Sequence, residues 1–246
     1  MLDDTVIIFS SDNGGWSQGI GYAGGSNLPL RGRKGDTLEG GCRVPGFIYN
    51  AGRTGRTDEV IHISDWLPTI VAGLAGGGDT ELPANLDGLN QIEMLSSPEG
   101  LSVRDEVLYE MVNFEDTEYF YTFPGLGIFN FTGAFGTALR YKEWKILLGC
   151  STMVGCAQNT NTTESPDQVM LFNLADDPYE TKNLADDPLY VDVLEELRAR
   201  VMYHKDRAAP PLRAADDLAG VPVNKVFTTG WCESVYDPND PPSCLV

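Results

Sequence analysis

"TVIIFSSDNGGW", residues 5–16, sets four apolar residues, Val6 to Phe9, directly before Ser10, Ser11, Asp12, Asn13 and two glycines. A short run rich in β-branched residues predicts a buried strand over 5–9 rather than a helix. The strand then ends in an acid, an amide, Gly14 and Gly15. In open α/β sheets ligands bind outside the carboxyl ends of strands, and Asp12 and Asn13 fall at such an end. Both offer side-chain oxygens, donors that suit a hard cation such as Ca²⁺ or Mg²⁺. The glycines allow tight backbone geometry near a ligand. An Asx turn closing a strand is the plainer alternative. The stretch by itself leaves both readings open.

Working outward, residues 14–41 contain ten glycines and no regular period, which predicts a long loop. Loops of that length in a compact domain are usually functional or disordered. "VPGFIYNA", 44–51, predicts a second strand. "SDWLPTIVAGLAGGG" predicts a helix with Ser64 as its N-cap, Pro68 in its first turn, Leu67, Ile70, Val71 and Leu74 on one face, and Gly76 as its stop. Strand, loop, strand, helix is the order of an open α/β sheet.

Beyond a turn-rich stretch to about 103, "EVLYEMV" predicts a strand over 106–112 and residues 113–136 show no clear period. "TALRYKEWKILLG", 137–149, predicts a hairpin turning at Lys142-Glu143. "QVMLFNL", 168–174, predicts another strand, and a helix follows from about Pro188 to Lys205 with Tyr190, Leu194, Leu197 and Val201 on one face. The echoes "NLADDPYE" and "NLADDPLY" are two Asp-Pro turns, too short for a structural repeat. Residues 1–103 therefore form an α/β portion, residues 104–210 a small antiparallel sheet with one packed helix, and residues 211–246 an irregular cysteine-containing tail.

A net charge of -19 over 246 residues argues against nucleic acid as a partner, because phosphate binding needs a basic face. The local balance reverses between Arg31 and Arg56, where six basic residues face Asp36 and Glu39. Charge alone leaves two readings of this patch: an anion site, or a solvated loop whose charges pair with nearby acids. No segment has the roughly 20 apolar residues of a membrane span, and the N-terminus lacks the pattern of a secretory signal. The five cysteines form no zinc spacing. Cys150 with Cys156, and Cys232 with Cys244, are spaced for local disulfides. Asn130 and Asn161 open glycosylation sequons. Together these point to an oxidising, lysosomal or secretory compartment. His62 in "IHISDW" reads as a packed or capping residue and His204 as a surface one, so the chain has little from which to build a general acid.

"SDNGGW" followed by "NLPLRGRKGDTLEGGCRVPGFIYNAG" resembles the sulfatase family of the alkaline-phosphatase-like superfamily, nearest its arylsulfatase B group. "HISDWLPTI", "ALRYKEWKILLG" and "LFNLADDPYETKNLA" are similar to the same family, so the likeness runs from about residue 4 to about 207. The resemblance implies the C-terminal part of an alkaline-phosphatase-like α/β fold, then the small sheet and helix. It implies that Asp12 and Asn13 are metal ligands, with calcium the metal, and that Lys34 contacts the sulfate group of a sulfate ester, most naturally on a sulfated carbohydrate. Glu39 and Arg43 lie in a matched motif and read as a buried pair or loop brace.

The resemblance also implies parts that these 246 residues do not contain. The family's nucleophile is a formylglycine made from cysteine in Cys-x-Pro-Ser-Arg, and Cys42-Arg43-Val44-Pro45 does not fit that pattern. The family's upstream acidic ligands, lysine and histidines have no counterpart here. The expectations are that Met1 is internal to a longer protein, that a sheet edge is exposed, and that the chain alone is inactive and marginally stable. Two readings remain beside a sulfatase part. One is a truncated, secreted, non-catalytic domain binding a sulfated glycan or protein. The other is a phosphatase or phosphonate hydrolase, which the lysine-bearing loop disfavours.

Overall fold

The computed structural model describes residues 2–16, 24–51, 54–77, 82–97, 99–111, 118–123, 127–132, 136–150 and 168–208. The chain divides into two compact units, Met1–Asp206 and Arg207–Val246. Almost all of the second, including Cys232 and Cys244, lies outside the described residues, as do Cys156 and Asn161.

β1 (Ile7–Ser10) pairs antiparallel with β2 (Gly46–Tyr49) as a two-stranded ribbon. Register sets Ile7 against Tyr49 and Phe9 against Phe47, whose rings stack at 5.5 Å. All four side chains are exposed. β2 falls inside the predicted 44–51 and β1 overlaps the predicted 5–9 but ends at Ser10; neither strand has a buried residue, against the buried strand expected over 5–9. Between them the chain runs through a loop into α1 (Glu39–Cys42).

The predicted helix after Ser64 takes a different form. His62 caps a 3₁₀ turn over Ile63–Asp65, its side chain accepting from the Ser64 N–H. α2 (Trp66–Pro68) then widens into a π-helical stretch, Thr69–Leu74. Its buried residues are Pro68 and Thr69; of the expected apolar face Leu67 and Ile70 are exposed and Val71 and Leu74 half-buried, so that face is only partly covered here. Asp65 organises this region. Its carboxylate accepts from the amides of His62 and Leu89 and from Arg104 Nε at 2.8 Å. Thr69 Oγ1 accepts from the Gln91 amide, tying in α3 (Ile92–Ser96).

The second half holds the main core. β3 (Glu106–Glu110), β6 (Thr137–Tyr141), β7 (Trp144–Leu148) and β8 (Val169–Asn173) form an antiparallel sheet in the order β3-β6-β7-β8. The β6–β7 hairpin turns at Lys142 and Glu143, with Lys142 at φ +54. A separate hairpin of β4 (Glu118–Phe123) and β5 (Gly127–Thr132) occupies a stretch whose sequence shows no clear period, and it contains Asn130. α4 (Val191–Lys205) follows a 3₁₀ turn capped by Asp187 and packs on the sheet. Leu194, Leu197 and Val201 meet Leu139, Ile146 and Leu171 to form one apolar cluster. On the opposite face Ala138, Leu147, Met170, Phe172 and Leu174 pack with Leu38, the residue just before α1. The second Asp-Pro echo finishes the sheet edge, where Asn183 Oδ1 accepts from the Leu171 amide and Nδ2 donates to the Val169 carbonyl.

Candidate sulfate and metal site

The two glycines after Asn13 have a packing explanation. Gly14 N–H donates to the Gly41 carbonyl at 2.9 Å. A Cβ built on Gly14 would lie 1.8 Å from Gly40 O, and one on Gly15 would lie 3.1 Å from Gly25 Cα. Strand end and α1 therefore touch backbone to backbone, which only glycine permits. Asn27 completes the junction: it accepts from the Gly15 amide (2.7 Å) and donates to the carbonyls of Gly15 (2.8 Å) and Gly32 (3.1 Å). Lys34 N–H donates to Gly15 O at 3.2 Å. The loop carrying Lys34 is thus fastened two residues beyond Asn13.

Asp12 is exposed and Asn13 half-buried at the end of β1. Lys34 is exposed, and no described acid pairs with its ammonium. Arg33 lies over the Trp16 ring, 5.7 Å from its centroid. A carboxylate and an amide oxygen are the donor types a hard cation takes, but Ca²⁺ takes 6–8 oxygens. Among the described residues no group of three or more His, Cys, Asp or Glu could hold a metal. Asp12 and Asn13 thus fit a calcium site in kind and fall short of one in number.

Glu39 and Arg43 are not a pair. Glu39 is buried, and its Oε1 lies 2.9 Å from Lys145 Nζ on β7. Arg43 is exposed and pairs with Asp58. Motif proximity suggested the pairing, but the short helix turns the two side chains to different surroundings. His204, expected at the surface, is half-buried and bonds to Glu106 Oε1 at 2.7 Å.

The residues that sequence reading missed are Lys145 and Glu180. Both are fully buried, and Glu180 Oε1 lies 2.8 Å from Lys145 Nζ. Tyr109 faces the same ammonium, 4.7 Å from its ring centroid. Burial opposes the Lys145 charge, yet the carboxylates of Glu39 and Glu180 and the neighbouring Tyr109 raise its pKa above the ordinary lysine range. Burial pushes the Glu180 carboxyl up, and Lys145 and the Glu39 amide only partly offset this. The Cys42 thiol beside them is pushed up to about 12 by burial, so it is no reactive thiolate. A lysine in the apolar "WKILL" was the one available signal.

The sulfatase family model matches residues 1–76, the segment that holds Asp12, Asn13 and Lys34. Arylsulfatase J of Mus musculus is 33% identical over 235 residues, covering 85% of this chain and 36% of the relative. Arylsulfatase A of Bos taurus is 30% identical over 190 residues, covering 76% of this chain and 34% of the relative. Among solved structures, the PsFucS1 sulfatase from Pseudoalteromonas sp. matches with a TM-score of 0.52 and 27% identity, over 83% of this chain and 38% of that one. The chain belongs to the sulfatase family and has its alkaline-phosphatase-like fold. It spans just over a third of the length of these curated relatives.

Proposed function

We propose that this chain is the C-terminal share of a sulfatase that hydrolyses sulfate esters, with sulfated carbohydrate as the substrate class. Asp12 and Asn13 would contribute two oxygen ligands to a divalent cation, calcium by family resemblance. The ammonium of Lys34 would contact a sulfate oxygen, as a compact point charge suits a tetrahedral anion. A cation bound there would supply Lewis-acid stabilisation of charge gathering on the leaving oxygen. The remaining ligands and the formylglycine nucleophile would come from a longer protein.

The observation that carries this reading is the fastening of the Lys34 loop to the end of β1. Gly15 O holds the Lys34 amide, and Gly41 O holds the Gly14 amide, so an exposed cation and two oxygen donors share one small scaffold. The exposed Ile7, Phe9, Phe47 and Tyr49 face supports a larger parent structure, since that much apolar surface calls for cover. Cys150 is disulfide-bonded, which with the two sequons favours a lysosomal or secreted setting. Among the described residues no helix is long and apolar enough to cross a membrane.

The test is sulfate release from an aryl sulfate by the full-length protein. Lys34→Ala and Asp12→Ala should each lower kcat by about 10²–10³. Unchanged turnover in either variant overturns its assigned role. The isolated 246-residue chain should show no turnover, and turnover above blank would refute the division of the site. Binding of a sulfated oligosaccharide by the chain, detected as heat without turnover, would favour the non-catalytic binding domain instead.

A further inference from the structure

Glu180 sits in the turn between β8 and α4 at φ +56, in the left-handed region that a glutamate rarely adopts. Such positions persist where the surroundings over-determine them. Three contacts do so here. Its Oε1 pairs with buried Lys145 of the sheet. Its Oε2 accepts from the Glu39 amide at 2.7 Å, at the start of α1. Its backbone carbonyl accepts from Arg31 Nη1 at 2.9 Å. Both donors belong to the segment that carries Lys34, and they lie 141 and 149 positions away in sequence.

The grip continues inward. Gly40 N–H donates to the Arg31 carbonyl at 2.6 Å, closing the loop on itself. Gly41 O holds the Gly14 amide, next to Asn13. Lys145 serves as the anchor, because it pairs with Glu39 and Glu180 together and is completely inaccessible. A buried ion set of this kind contributes little net stability against an apolar replacement, but it fixes geometry strictly once formed.

We infer that Glu180, anchored on Lys145, is a positioning residue that sets the Lys34 loop and the Asp12-Asn13 strand end relative to each other. Its importance for activity rests on the reading of Lys34 as the sulfate-binding cation. The coupling itself can be read without substrate.

Amide hydrogen exchange of the 246-residue chain, measured on wild type, Glu180→Gln and Arg31→Ala, tests it. Glu180→Gln keeps the side-chain volume but has one acceptor oxygen for two donors. It should speed exchange at the amides of Glu39, Gly40, Gly14 and Lys34 by about tenfold, while those of Ile146 and Leu171 in the sheet keep their protection. Arg31→Ala removes only the exposed arm, so it should fold and should speed Gly40 and Lys34 in the same direction by less. Unchanged exchange at Gly14 and Lys34 in both variants overturns the inference. So does a rise shared equally by the sheet, which would mark a plain loss of stability. If Glu180→Gln does not fold, Arg31→Ala decides by the same two criteria. Loss of turnover in Lys34→Ala bears on the sulfatase reading alone, because that variant leaves the Glu180 contacts in place.

Discussion

Two apolar runs of this chain meet opposite fates. "VIIF" leads into β1 and leaves Ile7 and Phe9 41% and 48% exposed. "KILL" lies in β7, where Ile146 and Leu147 are 0% and 1% exposed. Composition does not separate them. The second run has α4 on one face and Leu38 with Phe172 on the other, so its burial is complete within the chain. The first has one partner strand and an open face of Ile7, Phe9, Phe47 and Tyr49, while Ile8 and Ile48 on its other face are only half-buried. A strand's apolar residues state a demand for cover, and only the surrounding layers show whether that demand is met. The candidate site lies on the side where it is not met, and the structural strength lies on the other.

The largest effect should come from the junction joining the two regions. Gly14→Ala puts a methyl 1.8 Å from a backbone oxygen, so β1 and α1 must separate. It should cost about 4 kcal/mol or more in urea-unfolding stability, among the severe single substitutions. Gly24→Ala, whose Cβ would meet nothing within 4 Å, should stay within about 0.5 kcal/mol. Equal effects would mean that the close contact does not hold in solution.

A truncation on each side comes next. Leu197→Ala, at 0% exposure beneath the sheet, should cost about 2–5 kcal/mol by the same measurement. Phe9→Ala should cost under about 1 kcal/mol in this chain, because the ring is half in water already. In a longer protein that covers the ribbon, the Phe9→Ala cost should rise toward that of Leu197→Ala. A large cost in the 246-residue chain would show the ribbon covered by this chain itself and would break the comparison.

The smallest effect is in the pH dependence, where the two regions should differ in sign. Burial would raise the Asp65 carboxyl, but Arg104 and the amides of Leu89 and His62 hold it below the ordinary carboxylate range. Its contribution is therefore present above the unfolded aspartate pKa, near ~3.9, and is lost as pH falls through the folded value. Glu180 has its pKa raised by burial, so its contribution is full below the unfolded glutamate pKa, near ~4.3, and is lost as pH rises through the folded value. Urea midpoints followed across pH should lose slope on the acid limb in Asp65→Asn and at mildly acid pH in Glu180→Gln. The same change of slope in both variants would contradict the opposed signs.

Much of the architecture was legible in local pattern. The Lys142-Glu143 turn announced the β6–β7 hairpin, and Leu194, Leu197 and Val201 announced the buried face of α4. The four-residue helix α1 was hidden in a glycine-rich loop, and the β4–β5 hairpin lay in a stretch without a readable period. The region after Ser64 reads as a regular amphipathic helix, yet it takes a π-helical form and leaves Leu67 and Ile70 of its apolar face exposed. Glu39 was recognised as a brace and assigned the wrong partner. Four positions separate Glu39 from Arg43, whereas 106 separate it from Lys145, and local pattern carries no signal at that range.

By itself the sequence determined the kind of chemistry available: oxygen donors at a strand end, a basic loop on an acidic chain, and motifs shared with sulfatases. Those properties reside in side-chain type and short spacing, which the chain carries before it folds. Only the tertiary structure decided why Asn13 is followed by two glycines and why an apolar strand holds a lysine. The glycines are where two stretches of backbone meet, and the lysine anchors two distant glutamates. Close approach and charge pairing depend on distance in space, and that distance exists only after the chain has packed.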